Sequence, residues 1–294
     1  MIDTNRLGLG TVQFGMDYGV SNPAGKVSRQ EIRNIIMKSS KAGIEVLDTA
    51  SAYGSAETVI GDTIAELDNP KFRIITKTIS IEENETSLDA IIRTKEQFKK
   101  SLFKLRADKV DTLLIHNSEN LTSKSGIELY HLLRELKDRG LINKIGISVY
   151  ERDQIEKIFE KYNFDVIQLP VNIFDQRLIS DGTLNELKKR GVEIHARSIF
   201  LQGSLLVKPD KTPLILKKIT PHLKILHNDM QKYEIDMLSA CLSFVLNIKE
   251  IDIALIGVTS EKELNEILNS KNVNYIDFSK YALHNKDLID PRRW

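Results

Sequence analysis

Residues 44–67 read "IEVLDTASAYGSAETVIGDTIAEL", and residues 72–78 read "FRIITKT". A short β-favouring run, "IEVLDTA", precedes a segment with helical spacing of its apolar residues, and a second β-branched run follows. This is one strand-helix-strand unit, the building block of a parallel sheet. The same alternation extends in both directions along the chain. Strand patterns occur at "RLGLGTV" (6–12), "VDTLLIH" (110–116), "KIGISV" (144–149), "VIQLPVN" (166–172), "VEIHARS" (192–198) and "IALIGV" (253–258). With the two central runs they make eight, the number that closes a parallel barrel, whereas an open doubly wound sheet needs fewer. The expected fold is a single (β/α)8 TIM barrel domain spanning residues 1–294.

The segments between the strands read as amphipathic helices. In "SRQEIRNIIMKSSKAG" (28–43) Ser28 is an N-cap and Gly43 a C-terminal stop. The Leu, Ile and Phe spacing in "SLDAIIRTKEQFKKSLFKLR" (87–106) and "GIELYHLLRELKDRG" (126–140) suits packing against the sheet, and their Lys and Arg residues mark solvated faces. The pattern loosens between 203 and 232, where three of the seven prolines fall. An enlarged loop after the seventh strand is expected there, as a lid or specificity loop or a structural excursion.

Composition narrows the function. Lys and Arg number 42 against 41 Asp and Glu, which gives no reason to expect nucleic acid or an anionic membrane surface as partner. The one cysteine, Cys241, lies in an apolar helical run, and a single thiol excludes a disulfide framework and a Cys-based metal site. No apolar stretch reaches the roughly 20 residues of a membrane span, and the first residues lack the apolar core of a secretory signal. A cytoplasmic enzyme acting on a small molecule is expected.

In parallel barrels the active site lies at the carboxyl ends of the strands. Asp48 closes "IEVLD", Tyr53 follows in the turn, Lys77 closes "FRIITK" and His116 closes "DTLLIH". Singly each has an ordinary structural explanation, a capping Asp or a satisfied His. Together they compose an acid catalyst, because an ammonium beside a phenol favours phenolate and a neutral imidazole can donate to a developing oxyanion. No pair among them has metal-ligand spacing.

This order and spacing resemble the aldo-keto reductase superfamily, whose tetrad is an Asp, Tyr, Lys and His along the first half of a barrel. "LDTASAYGSAE" (47–57) is the most specific piece, and the likeness runs from "LGLGT" to "IGVTSEKELNEIL". It implies NADPH- or NADH-dependent carbonyl reduction in which Tyr53 delivers the proton, Asp48 and Lys77 tune it, and His116 orients the carbonyl. It further implies that Ser148 and Gln168 hold the nicotinamide carboxamide, with Val149 where an Asn often stands. Arg197 occupies the position of an aromatic residue that stacks on nicotinamide. Its planar guanidinium can stack instead or bind an anionic substrate. Ser198, Leu201 and Gly203 match the loop around the pyrophosphate. Gly257 starts a turn into a helix whose N-terminus faces the adenosine-side phosphate. Thr259 stands where NADPH-preferring members carry an Arg, leaving Ser260 and Lys262 as partners for a 2′-phosphate.

Two other functions compete with this reading. Lys77 at a strand end is placed to form a Schiff base, as in barrel aldolases, and a barrel that binds the dinucleotide without turnover would serve as a regulatory subunit. Polar Asn172, Arg197 and Gln202 suggest a hydroxylated or anionic substrate, and the motifs "LGTVQFG" and "RSIFLQG" resemble bacterial members of the family, some of which belong with sugar-modifying pathways, which implies a sugar-like aldehyde or ketone.

Overall fold

The computed structural model describes residues 2–294 except 21, 23, 68–70 and 83. Eight parallel strands close a barrel in chain order: β1 Leu7–Gly10, β2 Val46–Asp48, β3 Arg73–Lys77, β4 Val110–Ile115, β5 Ile142–Ser148, β6 Val166–Pro170, β7 Glu193–Arg197 and β8 Ile253–Gly257. The expected (β/α)8 architecture is present, with shorter strands than the sequence runs suggest. Closure is made by β1, which pairs with β2 through Gly10 and Asp48 and with β8 through Gly10 and Gly257. Below this seam Arg6 donates to the carbonyls of Leu246, Ile248 and Ile251, tying the start of β1 to the approach to β8.

The two-residue period of a strand sends alternate side chains inside and outside the barrel. Val46, Ile75, Leu114, Val166, Ile253 and Leu255 form the interior apolar layer. Gly146 makes room for it, since a Cβ there would lie 2.2 Å from Leu114 Cδ2. The floor beneath is polar. Glu193 accepts from Lys144, from Arg73 at 3.4 Å and contacts His195 Nε2 at 2.9 Å. Burial pushes the Glu193 carboxyl upward, but the bonds from His195 and Lys144 outweigh it and hold the group well below the usual carboxylate range. Outside the strands, the much larger core packs against helices such as Arg29–Lys41, whose Ile32, Ile35 and Ile36 are buried. Ser28 caps that helix by accepting from Glu31 N–H, and Gly43 leaves it at φ +80°.

The stretch 203–232 departs from the expected loop. Short 3-10 turns at Ser204–Leu206, Pro209–Lys211 and Leu214–Ile219 lead into a 13-residue helix, Thr220–Lys232. The three prolines precede or open these elements, where a missing N–H is tolerated, and Leu223, Leu226 and Met230 bury one face of the helix. Cys241 is fully buried in the next helix, Met237–Leu246. Among the described residues, no helix is long and apolar enough to cross a membrane.

Candidate active site

One step of the strand period beyond the interior apolar layer stand polar residues. Val46 is followed by Asp48, Ile75 by Lys77, Leu114 by His116 and Val166 by Gln168. The fold therefore brings them to one mouth of the barrel. Lys77 Nζ donates to Asp48 Oδ1 at 2.9 Å, Asp48 Oδ2 at 2.8 Å and the Thr49 carbonyl at 2.8 Å. It lies 4.9 Å from the centre of the Tyr53 ring. His116 meets the same ring edge-on at 6.0 Å between centroids, and its backbone N–H donates to Thr78 Oγ1 at 3.3 Å. All four predicted tetrad residues are thus in one cluster.

Tyr53 is not on a strand, and its position has its own cause. The turn 49–55 crosses the short helix Val12–Gly15 so closely that a Cβ on Gly15 would lie 1.7 Å from the Tyr53 carbonyl oxygen. Gly54, at φ +55°, faces the Gly15 carbonyl, which also accepts from Ser55 N–H at 3.4 Å. Glu57 anchors the following helix to β3 by accepting from Thr76 Oγ1 at 2.7 Å.

Electrostatics set the protonation states. Burial disfavours the Lys77 ammonium, but the Asp48 charge and then Tyr53 outweigh it, so its pKa lies above the ordinary lysine value. His116 is held down to about 4, mainly by burial and then by Lys77, with Arg197 adding and Asp48 opposing. At neutral pH the imidazole is uncharged.

A cavity of about 1190 Å³ opens over the cluster, above the roughly 300–1,000 Å³ of a drug-sized site. Ser148, Gln168, Arg197, Ser198, Gly203, Gly257 and Thr259 line it, as expected. Leu201, Ser260 and Lys262 do not. Leu201 is fully buried and its N–H donates to the Ser198 carbonyl at 2.8 Å. Ser260 caps the helix Glu261–Leu268 by accepting from Glu263 N–H at 3.1 Å, and the Lys262 side chain is 85% exposed. Gln168 is more than a cavity residue, because its Nε2 donates across the barrel to Asp48 Oδ1 at 2.8 Å. Arg197 lies 4.0 Å over the Tyr150 ring and donates to the Val149 carbonyl at 3.2 Å. Asn172, read as a substrate group, is buried and organises its own turn by accepting from Phe174 and Asp175 N–H at 3.0 Å.

Several lining residues escape sequence reasoning. Gln13, just beyond β1, has a buried Oε1 with no hydrogen-bond partner, and its side chain borders the space a Cβ on Gly257 would fill. Tyr18 and Tyr150 stand near Arg197, and Arg292 comes from far along the chain to lie 3.4 Å from the Tyr150 ring centre. Strand-end position was a usable signal for Gln13. Nothing local marks Arg292. An orphaned amide oxygen beside a glycine-lined recess, in a cavity of this volume, fits a dinucleotide with a polar carboxamide and ribose.

Comparison with known proteins bears on the fold and the family. The sequence model described as the Aldo/keto reductase family matches residues 6–283. A protein of Escherichia coli (strain K12) named NADH-specific methylglyoxal reductase is 24% identical over 94% of this chain and 92% of its own length. Among solved structures, an aldo-keto reductase from Bacillus halodurans in its holo form superposes with a TM-score of 0.75 at 18% identity, covering 98% of this chain and 95% of that one. The glycerol dehydrogenase of Gluconobacter oxydans gives a TM-score of 0.72 at 20% identity, covering 97% and 92%.

Proposed function

The chain belongs to the aldo/keto reductase family, and from that premise we propose that its cavity carries out NAD(P)H-dependent reduction of an aldehyde or ketone to the alcohol with Tyr53 as proton donor. The observation that carries this reading is the buried Lys77 ammonium, bound by Asp48 and facing the Tyr53 ring. A reduced nicotinamide, when bound, supplies the hydride. Tyr53 gives its phenolic proton to the carbonyl oxygen, and the adjacent positive charge stabilises the phenolate left behind. Asp48 keeps that charge in place, and Gln168 fixes the carboxylate from across the barrel. Neutral His116 donates a hydrogen bond to the carbonyl oxygen as negative charge grows on it. Ser148, Gln13 and the loop from Ser198 to Gly203 would hold the dinucleotide.

A Schiff base on Lys77 needs a free amine, and the pairing with Asp48 keeps this lysine protonated. The substrate we infer is a small hydroxylated or sugar-like carbonyl compound, because Tyr18, Tyr150 and Gln154 line the cavity with groups that hydrogen-bond hydroxyls. Methylglyoxal, for which the Escherichia coli relative is named, belongs in the same panel. We read the chain as one barrel domain working in the cytoplasm, where its single buried thiol stays reduced. The test is oxidation of NADH and NADPH with sugar, aliphatic and aromatic carbonyls. Consumption by the native protein that survives intact in Tyr53→Phe would overturn the assignment.

A further inference from the structure

The cavity runs from the tetrad to the turn after β8, where Thr259, Glu263 and Glu266 form its wall. At that turn the protein supplies its own anions. Thr259 N–H and Oγ1 donate to Glu263 Oε2 at 2.6 and 3.0 Å, and Glu261 N–H donates to Glu31 Oε1 from the helix Arg29–Lys41. Glu263 N–H in turn donates to Ser260 Oγ at 3.1 Å. Three amides around the start of the helix Glu261–Leu268 are therefore occupied, two of them by carboxylates. The positive end of that helix, the natural seat of a phosphate, is already neutralised.

Among the described residues that line the cavity, no cation stands at this turn to compensate. The arginines among the lining residues, Arg197 and Arg292, are both held against Tyr150. Lys262 Nζ leans only toward Glu266, 3.9 Å away, and projects into solvent. A 2′-phosphate, with its charge of nearly −2 and its demand for N–H donors, meets carboxylates here. A ribose diol meets acceptors.

We propose that Glu263, supported by Glu31, makes this end of the cavity a reader of the free 2′-hydroxyl, so that the chain prefers NADH to NADPH. The proposal rests on the reductase reading for the placement of the adenosine ribose. A dinucleotide whose reactive ring lies at Tyr53 extends toward this turn.

Isothermal titration of the full chain separates the two. We expect NADH to bind at least about tenfold more tightly than NADPH, and 5′-AMP to bind more tightly than 2′,5′-ADP. Glu263→Gln keeps an acceptor for Thr259 and removes the charge, so the NADH-to-NADPH ratio of affinities should shrink several-fold. Glu263→Arg should reverse it, and Glu263→Gln keeps the test alive if that variant fails to fold. Equal or tighter NADPH binding by the native chain, or a ratio unchanged in Glu263→Gln, overturns the proposal while leaving the reductase intact. Binding of neither dinucleotide overturns both.

Discussion

Lys77 Nζ sits 2.8 and 2.9 Å from the two carboxylate oxygens of Asp48, in a pair almost wholly withdrawn from solvent. A buried pair of this kind contributes little net stability while intact, yet removing one partner typically costs 3–5 kcal/mol by stranding the other charge. Lys77→Met should therefore lower both stability and turnover. The double change Asp48→Asn with Lys77→Met should recover much of the stability and none of the turnover. Chemical denaturation alongside steady-state kinetics checks this, and a double variant that regains activity contradicts the role given to the charge.

Tyr53→Phe removes one oxygen and leaves the ring packed against His116. Turnover should fall by about 100- to 10,000-fold, the range for a positioned general acid, with dinucleotide affinity little changed. Combined with Lys77→Met, the loss should be far less than the product of the two, since the lysine then has no phenol to tune. A product of independent effects would show that the two residues do not act as a unit.

Gly15 is expected to govern the same acid from outside the catalytic set. A Cβ there lies 1.7 Å from the Tyr53 carbonyl, so the turn must move in Gly15→Ala. Overpacking of this sort costs about 1–3 kcal/mol. We expect kcat to drop more than KM rises, because the displaced group is the proposed proton donor. Unchanged kcat would mean that the turn yields without moving the phenol.

Arg197 sits over Tyr150 and is one of the charges that hold His116 down. Arg197→Ala should weaken cofactor or anionic-substrate binding and raise the His116 pKa. Arg197→Lys should restore the second effect better than the first, because an ammonium carries charge without the planar face. Titration of the His116 ring by NMR reads one, and binding isotherms read the other.

His116 also leaves a mark on acid stability. In the unfolded chain its imidazole takes up a proton near 6.5, and in the fold only near 4. Between these values the unfolded state binds the additional proton, so this residue's contribution falls as pH drops through the window and is lost below it. His116→Asn should give a shallower decline in denaturation midpoint from neutrality to pH 4. Parallel curves for the two proteins would refute it.

The tetrad was legible because strand periodicity does two jobs. The same two-residue step that packs Val46, Ile75 and Leu114 inside the barrel delivers Asp48, Lys77 and His116 to its rim. Eight strand runs sufficed for the closed sheet. What stayed hidden depends on contacts between distant segments. Glu31 lies 230 residues from the Glu261 amide that it accepts from, and Gly15 matters only because another turn crosses it. The helix Thr220–Lys232 was masked by prolines that lie at or before element starts, and Leu201 by a reversal of the backbone at φ +47° that sends its side chain into the core.

The pairing of β1 with both β2 and β8 has a consequence for how the molecule is made. Until residues 253–257 emerge from the ribosome, Leu7–Gly10 and Glu193–Arg197 each present an unpaired row of N–H and C=O groups, open to association with other chains. Because this seam joins the two ends of the barrel in sequence, we expect it to close late in folding. Arg6, gripping three carbonyls at the approach to β8, is the latch that turns an open, sticky ribbon into a ring with no ends.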